Sequence, residues 1–109
     1  MSFYVNDILW NIEYVDPYDL NLVDKDGVLR LATTDPNKRI IFLSNRLSGE
    51  KKSHVLIHEL GHCIIFSYGL HKVLHKYVKH IYWDEAEEAL CNFIADYGRE
   101  ILYLADKNK

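Results

Sequence analysis

The residues with the clearest chemical potential are His58 to His62, which read His-Glu-Leu-Gly-His. Two histidines four residues apart lie on one face of a helix, so both imidazoles can reach the same metal ion. This spacing is the zinc-binding pattern H-E-x-x-H, in which the glutamate serves as a general base and not as a ligand. His58 and His62 are therefore predicted zinc ligands, and Glu59 is the predicted catalytic base of a metal-dependent hydrolase.

The competing interpretation is a pair of core histidines without metal, because the chain contains 6 histidines in all. The sequence around the motif favours the metal. Ionisable groups inside a buried helix need a partner. Gly61 costs helix stability, and its presence is easiest to explain if something packs closely against the helix backbone there. The apolar run that makes this helix a buried one consists of Val55, Leu56, Ile57, Leu60, Ile64, Ile65 and Phe66.

A catalytic zinc ion usually has three protein ligands, so one more is needed. His54 shares the histidine face, but it lies about 12 Å along the helix axis from His62, too far to bind the same ion. The extended pattern with a third histidine in the same helix is absent, because its positions hold Ile65 and Tyr68. The third ligand is therefore expected from another segment.

A second helix is predicted over residues 83–97 from its apolar spacing. On it, Glu88 shares a face with Asn92 and Asp96, an arrangement that can supply a ligand and a polar partner one turn on. Glu88 is the predicted third ligand, and Glu85, three residues earlier, is the alternative. The competing interpretation for the acidic residues near the start of this helix is that they are charges on a solvated face that favour its positive end. It applies to Asp84, Glu87 and, if it is not the ligand, Glu85.

These motifs resemble those of the ImmA/IrrE metallopeptidases, in particular small phage-type members. The resemblance rests on a strand pair, His-Glu-Leu-Gly-His followed by Ile-Phe-Ser-Tyr-Gly, and the run Glu-Glu-Ala-Leu-Cys-Asn-Phe-Ile-Ala-Asp-Tyr-Gly at 87–98. It implies a gluzincin-like zinc site formed by His58, His62 and Glu88, with Glu59 as the general base. Members of the family are implicated in cleaving or inactivating transcriptional repressors. The resemblance thus implies a zinc endopeptidase whose protein substrate is a phage or mobile-element repressor.

Composition sets limits on the function. The chain has 109 residues, of which 49% are hydrophobic and 27% charged, as expected for one globular domain over residues 1–109. Its net charge of −3 argues against direct nucleic-acid binding. No signal peptide and no apolar run of membrane-spanning length is visible, so a cytoplasmic protein without membrane contact is expected. Cys63 and Cys91 are interpreted as reduced core thiols.

The elements around the motif predict an α+β fold. A period-two pattern indicates an early strand at 8–15, and turn sequences at 24–27 and 35–38 delimit a hairpin of strands 28–34 and 39–43. Ser48, with Ser53 as the alternative, is expected to cap the helix that carries the motif. The predicted architecture is a small antiparallel sheet packed on two long helices, a minimal gluzincin-like zincin domain.

Residues 69–82, between the two helices, form the one basic segment. A solvated connector is favoured over a flap above the metal or a surface for an acidic partner, because charged runs usually face water. The hydrogen bond that stabilises the oxyanion is expected from one of three residues in or next to this segment. These candidates are Tyr68, His80 and Tyr82.

Three functions remain open on the sequence alone. The first is a zinc endopeptidase that adds an extended substrate to strand 39–43 as a sheet edge. The second is a non-catalytic, metal-stabilised interaction module that regulates a partner by binding. The third, a hydrolase of small amides, is weaker because no further polar cluster defines a pocket. Glu59 favours catalysis, since a structural metal needs no carboxylate beside it, although so small a chain could need its partner to complete the cleft.

Overall fold

A computed structural model describes all residues from Met1 to Lys109. Four strands precede three helices, and short 3-10 turns occur at Leu20–Leu22 and His80–Tyr82. The strands are β1 (Ser2–Val5), β2 (Ile8–Val15), β3 (Ala32–Asp35) and β4 (Ile40–Ser44). The helices are α1 (Gly49–Ser67), α2 (His71–Tyr77) and α3 (Trp83–Lys107). The predicted α+β class is confirmed, and no helix combines the length and apolar character that crossing a membrane requires.

The sheet has the strand order β1-β2-β4-β3. β1 and β2 form one antiparallel pair and β3 and β4 another, but β2 and β4 run parallel. The prediction of a purely antiparallel sheet is therefore wrong at its centre, where the sheet is mixed. β4 lies between two strands and buries Ile41, Phe42 and Leu43 in succession, as expected of an interior strand covered on both faces. The prediction that strand 39–43 is a free edge is also wrong, and β3 is the edge on that side.

The predicted strand 28–34 begins later than expected, at Ala32. The preceding residues fold back on themselves instead, with an isolated bridge between Val23 and Leu29. The Asp24 carboxylate accepts backbone hydrogen bonds from residues 26 and 28 and pairs with the Arg30 guanidinium at 2.7 Å. This local bonding holds residues 24–30 as a loop before β3.

The core fixes the orientation of α1 on the sheet. Trp10 is fully buried, and its indole nitrogen donates a hydrogen bond of 2.9 Å to Ser67 Oγ at the end of α1. Its ring meets Phe66 edge-on, with the centroids 5.9 Å apart. Because these contacts fix the end of α1, they also fix the direction of the helix face that carries the two motif histidines. At the other end, Ser48 precedes the helix as predicted but makes no side-chain capping bond.

The two long helices pack closely against each other at Gly61. A Cβ atom built there would lie 3.0 Å from Cys91 Sγ, so α3 packs directly against the backbone of α1. Cys63 and Cys91 are both buried free thiols, as expected. The glycine thus permits the helix contact that brings α3 next to the motif histidines.

We expect Gly61→Ala to destabilise the wild-type chain and to stabilise a Cys91→Ala chain. Alanine is favoured over glycine inside a helix by about 1 kcal/mol, whereas overpacking costs about 1–3 kcal/mol. Removing the Cys91 sulfur removes most of the clash, so the sign of the effect should reverse. Denaturant unfolding of the four proteins measures this. Equal stabilisation by Gly61→Ala in both backgrounds would show that the sulfur does not limit the helix approach.

Candidate metal centre

His58 and His62 lie one turn apart on α1, and Glu88 faces them from α3. The two Nε2 atoms are 3.3 Å apart. The Glu88 carboxylate spans them, with Oε2 3.1 Å from His58 Nε2 and Oε1 2.9 Å from His62 Nε2. These residues form the one cluster of at least three histidine, cysteine or acidic side chains with the spacing of a metal site.

The geometry of this cluster fits a zinc ion. Zinc bonds to nitrogen and oxygen of about 2.0–2.2 Å place the ligand atoms of a tetrahedral site about 3.3–3.5 Å apart. The separations here lie between 2.9 and 3.3 Å, so only a small expansion is needed. Two imidazoles and one carboxylate are also the donor set of catalytic zinc sites that keep a fourth position open.

The charges of the three side chains are strongly coupled. The hydrogen bond to Glu88 raises the pKa of His58, and hydrogen bonds to both histidines hold the pKa of Glu88 well below its usual value. Burial alone would lower the pKa of His62, but hydrogen bonds to Cys91, Glu87 and Glu88 outweigh it and raise the pKa to about 12. A metal binds neutral imidazole, so it has to displace these protons.

Glu87 is the main correction to the predicted site. It is not a solvated charge, because its side chain is only 22% exposed and its Oε2 atom lies 2.5 Å from His62 Nδ1. Its other oxygen, Oε1, lies 2.9 Å from His71 Nε2 on α2. The hydrogen bond with His62 keeps the pKa of Glu87 below its usual value. Asp84 and Glu85 are exposed, as predicted.

Glu59 follows His58 on α1 but is more deeply buried, with 7% of its surface exposed. Its Oε2 atom accepts a hydrogen bond of 2.6 Å from Thr34 Oγ1 on β3. Sequence reasoning missed Thr34, because nothing local marks one threonine of an edge strand as the partner of a helix 25 residues away. Glu59, His58, His62 and Glu88 all line one groove of about 1180 Å³. Its walls are β3 with the preceding loop on one side and the beginning of α3 on the other.

The remaining predicted residues are divided between the groove and the surface. Glu85 and Asn92 line the groove, but Glu85 does not belong to the histidine cluster. Asp96 is not part of the site either, since it pairs with His54 at 2.7 Å. None of the three oxyanion candidates lines the groove, whereas His71 does. The three candidates were Tyr68, His80 and Tyr82.

Comparison with known proteins gives one family. The model described as "Peptidase_M78: IrrE N-terminal-like domain" matches residues 17–97, which include every residue of the candidate metal centre. No curated protein matches the chain. The family match covers well over half of the chain and includes β3, β4, α1, α2 and most of α3. The chain therefore belongs to the Peptidase_M78 family of IrrE N-terminal-like, metallopeptidase-like domains, as its resemblance to the ImmA/IrrE proteins implied.

Proposed function

We propose that the protein is a zinc-dependent endopeptidase that hydrolyses a peptide bond of a protein partner. The observation that carries this proposal is the shared groove, where three groups fit for zinc lie beside a buried carboxylate that is not part of their cluster. A purely structural metal has no use for such a carboxylate. Glu59 therefore favours catalysis over a site that only stabilises the fold.

The chain's own residues supply the proton transfers. When bound, zinc lowers the pKa of a water molecule to about 7 and polarises a carbonyl oxygen. Glu59 takes a proton from the water that attacks the carbonyl carbon, and it returns this proton to the amine nitrogen as the C–N bond breaks. The Thr34 hydroxyl holds Glu59 Oε2 and thereby fixes which carboxylate oxygen is free for this exchange.

The substrate is expected to bind along β3. This strand pairs with β4 alone, and none of the backbone hydrogen bonds outside the regular elements involves residues 32–35. Its outer edge is therefore available for main-chain pairing with an extended peptide. Because Thr34 of the same strand contacts Glu59, a peptide paired there would lie beside the general base.

We expect the partner to be a transcriptional repressor of a phage or mobile element, the class of target implicated for the ImmA/IrrE proteins. The groove supports a polypeptide substrate because β3, a sheet edge, forms one of its walls. We expect the reaction in the cytoplasm, where a repressor acts and where Cys63 and Cys91 would stay reduced.

The test is cleavage of a repressor encoded next to this protein. The zinc-loaded protein is incubated with the purified repressor, and intact mass spectrometry follows both chains, with a chelator-treated sample as the control. We expect new fragments only in the zinc-loaded sample. A repressor that is bound and inactivated yet stays intact would replace the peptidase with the non-catalytic interaction module.

A further inference from the structure

The Glu87 carboxylate contacts two helices, α1 and α2, and α2 has no part in the proposed reaction. Oε2 contacts Nδ1 of His62 at 2.5 Å, and Oε1 contacts Nε2 of His71 at 2.9 Å. Both oxygens are therefore committed, one to α1 and one to α2. Glu87 itself lies on α3, so a single side chain links all three helices.

The contact with His62 determines which nitrogen of the ring is free. A neutral imidazole carries one proton, and a carboxylate beside Nδ1 keeps the proton on that atom. The lone pair is then on Nε2, which is the atom that faces His58 and Glu88. The same hydrogen bond also fixes the orientation of the ring, because it holds Nδ1 against Glu87 while Nε2 faces His58 and Glu88. His58 has no such partner at its Nδ1, because its side-chain contacts are made through Nε2.

The contact with His71 ties Glu87 to the connector between the long helices, residues 69–82. His71 begins α2, directly after the turn in which Gly69 has a positive φ of 65°. Aromatic packing on α3 holds the connector in place. His75 stacks on Trp83 with ring centroids 3.4 Å apart, and the Trp83 indole donates to the carbonyl of Val78 at 2.9 Å.

We propose that Glu87 is a positioning residue for the metal centre and that His71 positions Glu87, so that docking of the connector sets the metal affinity. This inference rests on the proposed metal site, and its new content is the chain of contacts from His71 through Glu87 to His62. Partners of this kind behind a ligating histidine typically account for about 10- to 100-fold in metal affinity.

The experiment measures zinc affinity by competition with a chromophoric chelator. The variants are Glu87→Ala, which removes both contacts, Glu87→Gln, which keeps a hydrogen-bond acceptor without the charge, and His71→Ala. Glu100→Gln is the matched control, since it removes an acidic charge from the same helix at an exposed position away from the groove. Melting curves of the metal-free proteins check that every variant is folded, and Glu87→Gln carries the test if Glu87→Ala is not.

We expect the dissociation constant for zinc to rise about 10- to 100-fold in Glu87→Ala and less in Glu87→Gln, with Glu100→Gln unchanged. His71→Ala should weaken binding in the wild-type background and add nothing in the Glu87→Ala background, because it acts through that carboxylate. In the zinc-loaded protein, the His62 Nδ1 proton should give a protected low-field NMR signal that Glu87→Ala removes.

Zinc affinity of Glu87→Ala within about twofold of wild type, less than the effect of typical outer partners, would overturn the positioning role. An equal effect of His71→Ala in both backgrounds would overturn the link to the connector. Failure of the proposed function would give a different result. The wild type and the variants would show the expected order of zinc affinities, but no partner protein would be cleaved. Zinc affinity thus tests the positioning role without any need for hydrolysis.

Discussion

Glu59→Gln should abolish hydrolysis while leaving the metal bound. Glutamine keeps the shape of the side chain, and its amide oxygen can still accept the hydrogen bond from Thr34 Oγ1 that Glu59 accepts at 2.6 Å. It cannot accept a proton from water. Loss of a general base typically lowers the rate by about 10²- to 10⁴-fold, so cleavage of the partner should fall by at least this factor.

The control for this experiment is Glu100→Gln, which makes the same chemical change at an exposed position of α3 away from the groove. It should cleave the partner at the wild-type rate. Zinc content is measured for all three proteins. It should be the same in each, because Glu59 does not belong to the cluster of His58, His62 and Glu88. Cleavage by Glu59→Gln at a rate within a few-fold of wild type would exclude Glu59 as the base.

The part of the site that sequence spacing could predict is the part that one helix determines. His58, Glu59 and His62 are fixed relative to one another by α1 alone, so the motif gives their arrangement directly. Glu88 required a second step, because helical periodicity indicated its face but only packing at Gly61 and Cys91 brings that face to the histidines. The family match supports the fold and the metallopeptidase-like character, and the ligand set stays a prediction.

Glu87 was assigned wrongly because acidic residues near the start of a helix usually favour its positive end and face water. Neighbouring residues on a helix point about 100° apart, so Glu87 does not share the face of Glu88. An imidazole, however, has nitrogens on two sides of its ring. His62 lies between the two carboxylates, with Nδ1 toward Glu87 and Nε2 toward Glu88. Adjacent glutamates can therefore both contact one histidine.

Three of the four strands were predicted, but β1 and the strand order were not. Alternation indicated β2, and the apolar run at 40–43 indicated β4, because both patterns are local. The parallel pairing of β2 with β4 is not local, since residues 16–39 lie between them and contain no α-helix that would signal a crossover. The late start of β3 has a different cause, because the hydrogen bonds of Asp24 hold the preceding residues in a loop.

Removing any one of the three proposed ligands should have the largest effect on metal binding. His58→Ala, His62→Ala and Glu88→Ala should each lose tight zinc binding. The expected loss exceeds the roughly 10- to 100-fold that is typical of residues behind a ligand, because a direct bond to the ion disappears. Metal content per chain after dialysis, and zinc affinity by chelator competition, measure this for each variant.

Two variants serve as matched controls because they lie on the same helices outside the cluster. His54→Ala removes a histidine of α1 whose partner is Asp96, and Glu85→Ala removes the groove glutamate that was the alternative ligand. Both should keep one tightly bound zinc ion. Loss of the metal in Glu85→Ala with retention in Glu88→Ala would move the third ligand by one helix turn. Stoichiometric, tight binding by both His58→Ala and His62→Ala would remove the metal from this site altogether, and with it the basis for Glu59 as a catalytic base.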